Sequence, residues 1–101
     1  MSQDNIVEIS IDTNDRLCIK PEREKFEMIY RSATEVHWDN NEYFLYSPKP
    51  REWTYLHWYK HIITTILNEY NCKLTITTKT KWTSISKELK EKICAFEHEV
   101  T

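Results

Sequence analysis

The sequence predicts an α+β fold. It is a mainly antiparallel sheet of about five strands, with a long amphipathic helix over about residues 52–70 and a C-terminal helix over about residues 85–97 packed on it. Three observations predict this. Short runs in the first half alternate apolar and polar residues, the period of a half-buried strand. After Pro50 the period changes to that of a helix and holds to Tyr70. Most strand-like runs come before that helix instead of alternating with helices, the order of a segregated α+β sheet.

Val7, Ile9 and Ile11 alternate, Asp12-Thr13-Asn14-Asp15 is a turn signal, and Leu17, Cys18 and Ile19 follow. Residues 6–11 and 16–20 therefore form an antiparallel hairpin with Asn14 in the position glycine usually takes, and Pro21 ends the second strand. Pro21 to Lys25 is a charged connector. Phe26, Met28 and Tyr30 alternate with Glu27, Ile29 and Arg31, which suggests a third strand. The same stretch fits a short helix through Phe26, Ile29, Tyr30 and Ala33. Glu35–Trp38 and Tyr43–Tyr46 flank Asp39-Asn40-Asn41-Glu42 and make a second hairpin with Asn at its turn.

Pro48 and Pro50 cannot lie inside the helix that follows. Thr54 is its expected N-cap, with Arg51 an earlier alternative start, and Asn71 its left-handed C-terminal residue. At ~100° per residue, Tyr55, Tyr59, Ile62, Ile63, Ile66 and Tyr70 share one arc with Leu56 and Leu67, and His57 and His61 lie opposite. Trp58 falls at the edge of the arc and Trp53 outside it. Leu74 and Ile76 mark a strand over 73–78, followed by a polar connector from Thr78 to Lys81. Ser84 or Ser86 caps the last helix, and Ile85, Leu89, Ile93 and Phe96 give it a narrow apolar stripe.

The 101 residues suit one domain, with 40% hydrophobic and 30% charged residues, an ordinary globular balance. A formal net charge of −2 demands neither a polyanion nor an anionic membrane as partner. No apolar run approaches the ~20 residues of a membrane span. Met1 to Asn5 carries no signal core, so a cytoplasmic location is expected. Cys18, Cys72 and Cys94 are odd in number and widely spaced, and read as reduced apolar fillers. The chain contains no glycine. A Walker A loop, a dinucleotide-binding GxGxxG and a GxSxG nucleophile elbow all require it, so all three are excluded.

His57 and His61 have the four-residue spacing of a helical metal pair. The residue after His57 is Trp58, where HExxH needs Glu, and no third ligand is placed beside them, so no metal or cofactor is expected. No nucleophile stands beside either histidine, and an enzyme is not expected. Lys79, Lys81 and Lys87 surround Trp82, a pattern that can track a phosphate backbone and stack a base, though Glu88 and Glu91 interrupt it. The stronger signal is aromatic. Trp38, Tyr43, Phe44, Tyr46, Trp53, Tyr55, Trp58 and Tyr59 crowd together, more than a small core readily takes alongside the helix's aliphatic arc. Tyr and Trp are favoured at interfaces because they join large area to a polar tip.

The leading expectation is a non-catalytic protein-interaction module, of the small bacterial inhibitor or immunity type. It would use Tyr43, Tyr46, Trp53 and Trp58 to bind another protein or a second copy of itself. In general character, acidic and glycine-poor, the chain is similar to bacterial toxin-immunity proteins and mobile-cassette proteins, a likeness without a motif. The second expectation is a nucleic-acid-binding accessory protein using Lys79 to Lys92, and the third a small ligand- or metal-binder using His57 and His61.

Overall fold

The structure is a computed structural model that describes residues 2–99. Its elements run β1 (Ser2–Ile11), β2 (Leu17–Pro21), a 3-10 turn (Ile29–Arg31), β3 (His37–Asp39), β4 (Phe44–Tyr46), α1 (Tyr55–Tyr70), β5 (Cys72–Thr83) and α2 (Lys87–Glu99). The α+β class, the five-stranded mainly antiparallel sheet and both helices stand as the sequence predicts. The strand order is β3-β4-β2-β1-β5, antiparallel throughout except that β1 and β5 run parallel. One rung crosses all five strands as Trp38, Leu45, Ile19, Ile9 and Trp82. The next rung, His37, Tyr46, Cys18, Ser10 and Thr83, projects from the opposite face, because side chains alternate along a strand. α1 packs on β5, β2 and α2, so the core lies between the sheet and two helices.

Local chemistry sets the boundaries. Thr54 Oγ1 accepts from the His57 amide and caps α1 as expected, so the helix starts at Tyr55 and not near residue 52. Asn71 ends it in the left-handed region, at φ 51° and ψ 40°. A short polar side chain lets Asn occupy that region more readily than a branched or apolar residue. Asn71→Gly is expected to leave stability nearly unchanged, and Asn71→Ala to lower it by about 1 kcal/mol, compared by urea denaturation. Ser86 Oγ accepts from the Leu89 amide and starts α2 two residues late.

Four expectations are corrected. The 26–31 stretch is not a strand. Phe26, Ile29, Ala33 and Val36 are buried at three- and four-residue steps around the 3-10 turn, while Met28 and Tyr30 are exposed. In the first hairpin the left-handed residue is Asp15, not Asn14. Asp12 organises that loop, its carboxylate accepting from the Asn14 and Arg16 amides and from Arg16 Nε at 2.7 Å. In the second hairpin Tyr43 takes the left-handed conformation, while Asp39 accepts from the amides of Asn41 and Glu42. The Thr78–Lys81 connector is part of β5. The strand bulges there, and Thr80 turns inward to donate to the Ile6 carbonyl at 2.7 Å.

Candidate functional site

The irregular segment from Pro48 to Trp53 leaves the sheet at β4 and reaches α1 across the Thr34–Glu35 turn. Between these segments and the first two turns of α1 lies a cleft of about 540 Å³. Trp53, Trp58 and His61 form its aromatic wall, and Lys49, Arg51, Glu35 and Glu52 stand around it. Trp58 and His61 share a helical face because they are three residues apart. Trp53 precedes the cap, so its ring is free of the helical register. It lies against Trp58 with ring centroids 4.7 Å apart, and edge-on to His61 at 5.3 Å.

The two tryptophans of the wall differ in character. Trp53 is 43% exposed, whereas Trp58 is 7% exposed and belongs to the core. Trp58 Nε1 and His61 Nε2 are buried and have no hydrogen-bond partner among the described residues. A buried polar atom left unpaired costs about 1–3 kcal/mol, and most are paired, so two on residues of one wall call for an explanation. Burial holds the His61 imidazole below its ordinary pKa, which favours the neutral ring. Both cations at the cleft are paired. Arg51 meets Glu35 at 3.3 Å and Lys49 meets Asp15 at 3.4 Å, both as exposed pairs of small energetic weight.

The four aromatic residues expected to form one surface are divided. Trp53 and Trp58 come together as expected, but with His57 and His61 in place of Tyr43 or Tyr46. Tyr46 points from the sheet face opposite Leu45, half-buried beneath Arg16 at 4.4 Å and beside His37 and Phe44. Tyr43 is exposed at the hairpin tip, with Lys25 at 5.0 Å over its ring. His61 is the residue the sequence placed wrongly. It is half-buried in the cleft wall, while His57 remains exposed. The i, i+3 step from Trp58 was the signal that could have found it.

Among the described residues no group of three or more His, Cys, Asp or Glu is placed to hold a metal ion. Lys79, Lys81 and Lys87 are exposed, but Trp82 is half-buried with Lys90 at 5.2 Å over its ring. Cys18 and Cys72 are buried and unbridged. Burial and the nearby Asp12 charge push the Cys18 thiol up to about 12, so it is a thiol and not a nucleophilic thiolate at neutral pH. No helix among the described residues is long and apolar enough to cross a membrane.

These features define a small two-layer α+β protein with an aromatic-walled cleft beside its long helix. The family model described as Integron Cassette Protein Hfx_Cass5 matches residues 4–80, and the chain belongs to that family. A solved structure titled as an integron cassette protein, Hfx_Cass5, from the mobile metagenome of North West Arm Sewage Outfall is 33% identical. The match covers 97% of this chain and 98% of that one, with a TM-score of 0.49. No curated protein matches the chain.

Proposed function

We propose that this protein is a non-catalytic interaction module, of the small inhibitor or immunity type and acting in the cytoplasm, whose working surface is Trp53 and the cleft beside it. The observation that carries this reading is the placement of Trp53. A large ring stands 43% exposed at a cleft whose wall includes Trp58, a residue with an unpartnered buried indole N–H. Binding hot spots are rich in tryptophan because one ring contributes large area together with a polar tip. A second copy of the chain is the competing protein partner, and sedimentation of the wild type separates the two.

The test is selection of a displayed random-peptide library on the wild-type protein, with counter-selection on Trp53→Ala. The expected result is a consensus peptide whose affinity falls by about 30-fold on Trp53→Ala, equivalent to about 2 kcal/mol, with the urea midpoint little changed. Absence of any Trp53-dependent binder, with a monomeric wild type, would sink the reading. The nucleic-acid alternative rests on exposed Lys79 and Lys81. It ranks second because Lys90 already occupies a face of Trp82. Retention of single-stranded DNA at low ionic strength, lost steeply with salt, would reverse that order.

A further inference from the structure

The unpartnered nitrogens on the cleft wall restrict what can bind there. Trp58 Nε1 can only donate, so an occupant that satisfies it must bring an acceptor. A lone ammonium brings none and is unsuited. His61 Nε2 can only accept when the neutral ring carries its proton on Nδ1. The two rings are neighbours, with centroids 5.9 Å apart. One ring cluster beneath Trp53 therefore holds a buried donor on Trp58 and, in that tautomer, a buried acceptor on His61. The charged residues lining the cleft, Lys49 and Arg51 with Glu35 and Glu52, are equal in number of each sign and give no strong preference for an anion or a cation. A carboxylate would satisfy Trp58 but leave His61 Nε2 facing another acceptor.

We propose that the cleft recognises an amide group carried next to an apolar or aromatic group, as on an extended peptide segment. The amide carbonyl accepts from Trp58 Nε1 and its N–H donates to His61 Nε2. Trp53, which now covers both residues, moves aside and stacks on the neighbouring apolar group. This rests on the interaction reading above and adds the chemistry of the partner. The volume of about 540 Å³ lies within the range of ligand pockets, roughly 300–1,000 Å³. Trp53 is suited to move, since it lies outside α1 and is held by ring contacts with His57, Trp58 and His61.

Three probes of matched shape test this: 3-phenylpropionamide, 3-phenylpropionate and 3-phenylpropylammonium. Each is titrated into the full chain while the tryptophan indole N–H resonances are followed by NMR. The amide is expected to bind saturably, to move the Trp58 Nε1–H resonance downfield, and to bind at least tenfold more tightly than either ion. Trp58→Phe keeps a ring and removes the N–H, and should erase that preference. Trp53→Ala should weaken all three probes while preserving it. Equal binding of the three probes, tighter binding of the carboxylate, no binding at all, or an unmoved Trp58 resonance overturns the amide assignment. The wild-type resonance decides the matter even if Trp58→Phe fails to fold. A Trp53-dependent consensus peptide without amide preference would remove this assignment and leave the interaction reading standing.

Discussion

Asp4→Ala is expected to lower the free energy of unfolding by about 3 kcal/mol, the scale of hydrogen bonds to a buried charged group. Asp4 is 1% exposed, an unusual position for a carboxylate on a strand. It accepts from the amides of Glu24 at 2.8 Å, Arg23 at 2.9 Å and Asn5 at 3.0 Å, and from Arg23 Nε at 3.3 Å. The side chain thus holds the charged connector after β2 onto β1. Removing it leaves backbone donors without acceptors. The Arg23 side chain itself is exposed and contributes little. Burial alone would raise the Asp4 pKa. The bonds from Glu24, Arg23 and Asn5 outweigh it, and the net shift is downward. A carboxylate with its folded pKa below the unfolded value of ~3.9 stabilises fully above that value and loses the contribution as pH falls through the folded pKa. Urea midpoints of the wild type should therefore drop from pH 5 to pH 2. Asp4→Asn should show a shallower drop, keeping the part that Asp12 supplies through its own lowered pKa. An unchanged pH slope in Asp4→Asn would refute this account.

Trp58→Ala is expected to cost about 3–5 kcal/mol, as for other buried large-to-small changes. Trp58 packs into the core with the inward face of α1, so truncation opens a cavity. Trp53→Ala, at a half-exposed ring outside the helix, should cost less than about 1 kcal/mol. Adjacent residues of one aromatic pair, 4.7 Å apart, would then separate into one that holds the fold and one that is free to bind. Paired denaturation curves and sedimentation of each variant measure the split. Core-scale losses in both would make Trp53 architectural and remove the interaction surface.

What the sequence revealed and what it hid follow from range. Thr54 and Asn71 were legible because a cap is settled by one side chain and its adjacent backbone. Phe26 to Tyr30 was ambiguous because its apolar residues satisfy both periods, and only burial of Ile29 with Ala33 and Val36 decides between them. The far half of β5 was hidden because Thr78 to Lys81 has no apolar alternation. Its place in the sheet comes from pairing with Glu8, Ile9 and Ser10, and pairing over such separation leaves no local mark. In the candidate site, Trp53 and Trp58 were legible as a pair. Tyr46 was separable on parity alone: Leu45 faces the core, so its neighbours Phe44 and Tyr46 must face away. Tyr43 was not separable, since nothing local announces a tyrosine in the left-handed region.

The parallel pairing of β1 with β5 also governs how the chain can be made. Ser2 to Ile6 lie against Cys72 to Ile76, and Ser10 lies against Thr83. β1 is thus synthesised well before the strand that completes its second ladder. At about 5–20 residues per second, it waits several seconds with one ladder unpaired. Contacts between such distant residues must bear the closure of a long loop before they return any stability, which slows folding. A ribosome stalled before residue 72 would hold out a hairpin with a bare strand edge, a template for joining other chains. The yield of this protein in a cell therefore depends on how fast translation delivers β5 as well as on the stability of the finished sheet.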